Sequence, residues 1–492
     1  MRLARRLARR LARRRGRRCK RRSRTSRPVT LVGGGPVSGW EQGLACFSEG
    51  RSSDSLVHKP EKWGTGVLLS FRVANHGSLR EPQELNLVPV YEDERPALTV
   101  AAIYGANASG KSTVLDAYRF FRKVVRESQA QWLPDAPIER RPFLLDHESR
   151  REPSTYAVDV LISEVRYVYG FAVSDTAVEE EWLYAYPKGR KRVLFERRGM
   201  DVTFGASLTG ERVAAGRVLR PNSLYLSAAA QTAHEKLSAV WRGVQASFSI
   251  DDRSRQALTR TGSYAARAFE NFERRGLARG ADVLAAADLG VQALRPGREE
   301  DPEAKNFLGR TWWEEQSAET RAAVSRSLQF VHRVGEEEFL LPAKYESAGT
   351  KTWLNLVSFA LMSLGDGELL WIDEIDVSLH PLLTVKLIKL FQSPELNPLG
   401  AQLVFTTHDA ALLGTMLGEE VLRRDQIWFV EKSAETGASE LYPLSDFKPR
   451  KGENFERRYL AGSYGAVPVL PDTALEDVVR EFWGAHGKAV SA

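Results

Sequence analysis

Two stretches of this chain combine residue types whose chemistry suits phosphate groups. The first is Gly105-Ala106-Asn107-Ala108-Ser109-Gly110-Lys111-Ser112, followed by Thr113, with the spacing G-x-x-x-x-G-K-S. Glycines at 105 and 110 let a backbone turn tightly and approach an anion closely. The N–H groups of such a loop, and of a helix that starts directly after it, favour anionic oxygens. Lys111 is placed to reach the β- and γ-phosphates of a nucleotide, and the Ser112 hydroxyl to ligate Mg²⁺. The second stretch is Asp373-Glu374 at the end of the apolar run Leu369-Leu370-Trp371-Ile372. A carboxylate at the end of a buried strand can hold Mg²⁺, here Asp373. The next one, Glu374, can polarise an attacking water. The metal ligands expected are thus Ser112 and Asp373, and the catalytic groups Lys111 and Glu374.

Two further positions join this pair. Ser347 and Gly349 lie in Glu346-Ser347-Ala348-Gly349-Thr350, 26 residues before Asp373, ahead of a helical pattern carrying Leu354, Val357, Leu361 and Leu364. A Ser and a Gly at a helix N-terminus can bind phosphate through N–H groups and a hydroxyl. His408 ends the apolar run Leu403-Val404-Phe405-Thr406-Thr407, where an imidazole can reach a γ-phosphate or its attacking water. Alone, the first is a helix cap and the second one of eight histidines. Their order around Asp373 makes them a third and fourth element of one site.

The elements that position these groups are legible as local patterns. Leu98 to Tyr104 reads as a buried strand, and Val114, Leu115, Tyr118, Phe121 and Val125 recur at helical spacing to about Ser128. Residues 68–104 read as a β region, with Val67 a natural start for the first strand. Tyr156–Ile162, Arg166–Val173, Glu181–Tyr186 and Arg192–Arg198 read as an antiparallel meander with a turn at Lys188-Gly189. Residues 223–335 are expected to be mostly helical. One apolar face is Leu237, Val240, Trp241 and Val244; another is Ala322, Val324, Leu328 and Val331, with breaks near Gly276, Gly280 and Gly290. Arg295–Lys305 is expected to be an exposed loop, and Trp312-Trp313 to pack in a core. This segment separates Lys111 from Asp373 by 262 residues and reads as an insertion.

Composition bounds the rest. At 492 residues and 43% hydrophobic, the chain can build several cores. Only Cys19 and Cys46 are present, which excludes a disulfide framework or a Cys-based zinc site and fits a reducing cytoplasm. No apolar run approaches the about 18 residues a membrane helix needs, so no membrane partner is expected. The net charge of +7 is misleading. Residues 1–40 hold fourteen Arg and one Lys with no acid, which leaves residues 41–492 at −8. Leu3-Ala4-Arg5-Arg6 repeats at Leu7-Ala8-Arg9-Arg10 and Leu11-Ala12-Arg13-Arg14. Such an arm suits nucleic acid or an anionic membrane, or resembles an organelle transit peptide. The reading favoured here is that it does not belong to the native protein. The expected organisation is a basic extension over 1–66, an N-terminal lobe over 67–222, a helical insertion over 223–335, a C-terminal lobe over 336–470 and a tail over 471–492.

Taken together, the loop, the Ser-x-Gly element, the Asp-Glu strand and the terminal His resemble the ATP-binding-cassette-type heads of the SMC/RecF/OLD class. More narrowly, Ile103–Ser112, Glu346–Thr350, Asp373–Pro381 and Asp425–Lys432 look like the RloA-type AAA ATPases linked with bacterial abortive-infection and anti-phage loci. Lys448–Asn454, Arg458-Tyr459-Leu460 and Gly462–Gly465 match that group's C-terminal stretch. The resemblance implies an α/β P-loop NTPase fold, ATP and Mg²⁺ as ligands, and a head-to-tail homodimer. In that dimer each nucleotide sits between one subunit's Gly105–Thr113 and the other's Ser347 and Gly349, with Asp376 in the loop that crosses between sites. The signature here is Ser-Ala-Gly-Thr rather than Ser-Gly-Gly, and no Gln between the loop and the insertion is an obvious Mg²⁺ or water ligand, Gln129 and Gln131 being no more than candidates. The insertion lacks the heptads of an SMC coiled coil. The leading expectation is a cytoplasmic ATPase whose dimerisation switches a defence activity, with an effector or nuclease partner. The alternative is an ATP-gated DNA-binding or repair module of the RecF type. The acidic body argues against extensive phosphate contacts, although Arg450, Lys451, Arg457 and Arg458 form a candidate basic patch.

Overall fold

The computed structural model describes residues 66–250, 287, 290–300, 326–468, 473 and 476–483, apart from 92, 211, 417–418, 449 and 451. The arm, Trp312-Trp313, Ala322, Val324, Gly276 and Gly280 lie outside the described residues. In chain order the strands are β1 (Val67–Ala74), β2 (Gln83–Asn86), β3 (Val100–Tyr104), β4 (Ser154–Ile162), β5 (Val165–Val173), β6 (Val178–Tyr186), β7 (Arg192–Arg198) and β8 (Asp201–Phe204). They continue as β9 (Ser247–Ile250), β10 (Val291–Glu300), β11 (Arg326–Val334), β12 (Glu337–Pro342), β13 (Leu369–Ile372), β14 (Gln402–Thr407), β15 (Ile427–Lys432) and β16 (Ser439–Pro443). The α-helices are α1 (Lys111–Glu127), α2 (Val213–Val218), α3 (Tyr225–Gln231), α4 (Glu235–Gln245), α5 (Ala348–Asp366), α6 (Pro381–Gln392) and α7 (Phe455–Leu460).

Two sheets frame the site. The first is antiparallel, in the order β2-β1-β4-β5-β6-β7-β8; the second runs β16-β15-β3-β14-β13-β9. In the second sheet β3 pairs in parallel with β14 and β15, and β13 with β14 and β9. Parallel strands covered on both faces read as unbroken apolar runs, which is why Leu369–Ile372 and Leu403–Phe405 stand out in the sequence. Alternation splits β3 between two cores: Ala101 and Ile103 face α1, while Val100, Ala102 and Tyr104 face the side of α5 and α6. α1 lies between the sheets. Its Phe121 stacks on Phe171 of β5 with ring centroids 5.5 Å apart, and its Tyr118 stacks on Trp371 of β13 at 4.6 Å. Gln402, 2% exposed, fastens the two sheets directly. Its amide donates to Leu68 O at 2.9 Å and Leu98 O at 3.0 Å and accepts from Leu68 N at 2.7 Å.

The meander is antiparallel as its turn signals indicate, and it continues the sheet begun by β1 and β2. The segment 223–335 departs from expectation. Its first part is helical, with Leu237, Val240 and Val244 of α4 buried and Trp241 packed against the same core. After residue 246 the described part is strand. β9 joins the parallel sheet beside β13, and β10 and β11 form a three-stranded antiparallel sheet with β12. Leu328 and Val331 belong to β11 rather than to a helix face, and Arg295 lies in β10 rather than in a loop. Apolar residues three apart fit either period over so short a run, and here cross-strand pairing prevailed.

Candidate functional site

The parallel register brings the two sequence stretches to one edge. Tyr104 of β3 pairs with Thr407 of β14, and Phe405 of β14 with Ile372 of β13. The loop after β3, Asp373 after β13 and His408 after β14 therefore leave the sheet at the same, C-terminal end. Adjacent strands are about 4.8 Å apart, so β13 stands about 10 Å from β3.

The loop 105–110 has the strain and the close approaches its glycines foretell. Gly110 has φ +107°, and a Cβ there would lie 2.5 Å from Ser439 Oγ. Gly105 serves differently: a Cβ on it would lie 2.5 Å from both Ser109 Oγ and Val430 O. Ala108 takes a left-handed φ of +59° without being glycine, a conformation costing roughly 1–2 kcal/mol. Ser109 is buried, and its hydroxyl has no hydrogen-bond partner among the described residues. A buried orphan hydroxyl inside a loop of N–H donors suits an anionic oxygen. Lys111, the first residue of α1, folds back over the loop and donates to Gly105 O at 2.9 Å and Ala106 O at 3.2 Å. Burial lowers its pKa, against the opposing charges of Glu374, Asp373 and Asp376. Ser112 is exposed on the first turn of α1.

Three residues hold the loop from below. Ser439, at the start of β16, donates to Ser109 O at 2.6 Å and meets Ser78 Oγ at 2.8 Å. Ser78, in the β1–β2 turn, reaches Thr113 Oγ1 at 3.3 Å. That turn is fixed by His76, fully buried between Tyr156 OH at 2.8 Å and Asp116 Oδ2 at 3.1 Å. Burial alone would raise the Asp116 carboxyl, but the hydrogen bond and charge of His76, with Arg119, hold it well below the usual carboxylate range. Sequence reasoning missed Ser78, His76 and Ser439. Ser439 lies 330 residues from Ser109, and no local pattern links them.

The acidic half is organised by Thr406, also missed. Its buried hydroxyl donates to Asp373 Oδ1 at 2.6 Å and accepts from Glu374 N at 2.7 Å. Glu374 is left-handed, with φ +51°, and so is Ser378, at +64°. The bond from Thr406 to the Glu374 N–H helps hold this strained turn, and with it the direction of both carboxylates. The hint in sequence was a β-branched hydroxyl pair, Thr406-Thr407, closing the neighbouring strand. His408 is exposed just beyond. Partial desolvation lowers its pKa, Lys111 adds to this, and Asp376, Glu374 and Asp373 oppose it.

Ser347 is the N-cap of α5, accepting from Thr350 N at 3.0 Å. A Cβ on Gly349 would lie 2.9 Å from Ser378 O, so α5 abuts the turn that follows Glu374. The described contacts of Ser347 and Gly349 run to Thr350 and Ser378, not to the loop 105–110. Gln129 is corrected as a site candidate. It lies beyond the C-terminal end of α1, roughly 25 Å along the helix from Lys111, where its amide donates to Val218 O at 3.1 Å; Gln131 is farther still.

Residues 100–414 match the family described as AAA domain, putative AbiEii toxin, Type IV TA system. The chain belongs to this family. It is accordingly an AAA-type P-loop ATPase domain with an α/β core. No curated protein matches it. Among solved structures it is similar to the Smc head domain with an extended coiled coil bound to the C-terminal domain of ScpA, from Pyrococcus furiosus. That match has 14% identity and a TM-score of 0.36, covering 78% of this chain and 98% of the other. It is also similar to an Smc head domain with a coiled coil and joint from Pyrococcus yayanosii, at 11% identity and TM-score 0.36, covering 78% and 100%. No described helix is long and apolar enough to cross a membrane.

Proposed function

We propose that this protein binds and hydrolyses ATP with Mg²⁺, and that two copies close head-to-tail around the nucleotides to switch a bacterial defence activity of the RloA type. The observation that carries the catalytic part is the shared edge. The loop 105–110, Lys111, the Thr406-held Asp373-Glu374 pair and His408 leave neighbouring parallel strands together. The loop N–H groups, Ser109 Oγ and Lys111 would receive the phosphate oxygens. The donor set for Mg²⁺ is Ser112 and Asp373, hard oxygens as that ion requires. Bound there, Mg²⁺ would offset phosphate charge. Glu374 takes a proton from the water that attacks the γ-phosphorus. The new P–O bond forms as the bond to the bridging oxygen breaks, and ADP leaves. His408, kept neutral by its lowered pKa, hydrogen-bonds the γ-phosphate or that water.

Support for the dimer is the exposure of Ser347 at the cap of α5, turned to Thr350 rather than to its own chain's phosphate loop. The contact of Gly349 with Ser378 then ties a second copy's signature to its own Glu374 turn. The family description, with its toxin and antitoxin terms, supports a defence role exercised through an effector or nuclease partner in the cytoplasm. The ATP-gated DNA-binding alternative shares the same site.

Light scattering of the Glu374→Gln protein with and without Mg²⁺-ATP tests the reading. A mass that doubles only with Mg²⁺-ATP is expected, and Lys111→Ala should not respond. An unchanged mass together with no measurable ATP binding would overturn both parts. Unchanged mass with normal binding would overturn the dimer alone.

A further inference from the structure

The β6–β7 hairpin presents Lys188, Arg190, Lys191 and Arg192 at its tip, all exposed, and none of the four takes part in a described ion pair. Two other basic clusters among the described residues are partly answered by their own acids. The 440 Å³ cleft along α1 holds Arg119, Lys123, Arg126 and Arg141. There Asp116 pairs with Arg119 and Arg141, Glu139 with Lys123, and Glu127 with Arg126. Arg458 of the C-terminal cluster pairs with Glu453. At the hairpin, the nearby acids are largely engaged. Asp159 is gripped by Arg166, and Glu196 accepts from Tyr184 OH at 2.7 Å. Glu196 is exposed, and Glu164, at the neighbouring β4–β5 turn, adds a second exposed carboxylate.

The tip also turns tightly and carries rings. Lys188 (φ +57°) and Gly189 (φ +75°) are successive left-handed residues within the five-residue connection. Tyr184 and Tyr186, two apart on β6, share one face of the sheet. Lys191 Nζ sits 3.6 Å above the Tyr184 ring, and Arg166 Cζ 4.9 Å from the Tyr186 centroid. Cations fixed beside half-exposed aromatic rings suit a chain of phosphates bearing flat bases.

We propose that the Lys188–Arg192 tip, with the Tyr184 and Tyr186 face, is a sequence-independent contact for a nucleic-acid phosphate backbone. The negative balance of the body outside the arm does not oppose this, because the four charges are concentrated where few carboxylates answer them. The contact is independent of the nucleotide site: a protein that failed to hydrolyse ATP would still bind through the tip.

The test compares the full chain with a Lys188→Asn, Arg190→Ser, Lys191→Ser, Arg192→Ser variant. Asn tolerates the left-handed position 188. Fluorescence polarisation of a labelled duplex and of a labelled single strand of the same length is followed from 50 to 200 mM NaCl. The arm is present in both proteins, so it cancels in the difference of slopes. Each phosphate contact contributes about 0.9 to the slope of log K against log salt on a duplex and about 0.7 on a single strand. The variant should therefore lose about 3.6 slope units on duplex and bind roughly thirtyfold or more weakly at 100 mM salt. ATP turnover should stay within about twofold, reporting an intact fold apart from the tip. The milder Arg190→Ser, Arg192→Ser pair should lose roughly 2 slope units. Equal slopes and affinities for wild type and variants would overturn the proposal, as would no binding by the wild type. So would competition by polyglutamate as effective, charge for charge, as unlabelled duplex, which would assign the tip to an acidic protein.

Discussion

Thr406→Val is the substitution that isolates the acidic half of the site. Valine keeps the shape and removes one hydroxyl that is buried and doubly bonded, to Asp373 Oδ1 at 2.6 Å and from Glu374 N at 2.7 Å. The first bond is to a carboxylate and is worth about 1.5–3 kcal/mol; losing the second leaves an N–H wanting a partner at roughly 1–3 kcal/mol. Part of this is recovered when the turn relaxes from the left-handed φ of Glu374, and relaxation is what matters for catalysis, since it re-aims both carboxylates. If about 2 kcal/mol of that loss falls on the transition state, turnover drops roughly thirtyfold. The assay is steady-state phosphate release with a parallel nucleotide-binding titration. We expect kcat to fall about thirtyfold and nucleotide affinity to change less than about threefold, because the loop 105–110 is untouched. Thr406→Ser, which restores the hydroxyl, should recover most of the rate. A Thr406→Val protein with kcat within about threefold of wild type would refute the claim that this hydroxyl sets the carboxylates.

Three further outcomes follow from the geometry. Ser347→Arg should leave ATP binding by the isolated chain intact and abolish turnover; normal turnover would sink the trans-signature proposal. His408 has a lowered pKa, so it stays neutral as pH falls past its ordinary 6.5. The plot of kcat/KM against pH should accordingly be flat down to that value and decline only below it, with the acid limb missing in His408→Ala; a decline centred above 6.5 would contradict the assignment. Arg197→Met strips the fully buried Glu181 of its ion pair at 3.3 Å and empties the bond to Ser223 O. An uncompensated buried charge costs about 3–5 kcal/mol, which should lower Tm by about 3–5 °C in a unit of this size; a shift under about 1 °C in a fluorescence melt would count against it.

The parts of the site legible in sequence were those whose meaning is local. Gly105, Gly110 and Lys111 sit within one loop between a strand and a helix. Asp373 and Glu374 close an apolar run, as His408 does on the adjacent strand. Each carries its structural context within a dozen residues. Thr406, Ser439 and Ser78 were not legible, because their roles exist only after strands from distant segments pair. The antiparallel meander was readable from its turns. The β10–β12 sheet was not, since Leu328 and Val331 satisfy a helical spacing over a run too short to separate the two periods. Gln129 was a candidate by order in the chain alone, and the length of α1 carries it away from the loop.

The strand order β15-β3-β14 also governs how this protein must be made. Ala102 of β3 pairs with Phe405 of β14, 303 residues later, and with Ile427 of β15 on its other side. At a ribosomal rate of about 5–20 residues per second, the nascent β3 waits roughly 15–60 s for either neighbour. Throughout that interval an apolar strand has both edges open, and the phosphate-binding loop hangs from it without its acidic counterpart. A nascent chain in this state should be a strong client for chaperones, and fragments ending before residue 400 should aggregate rather than bind nucleotide.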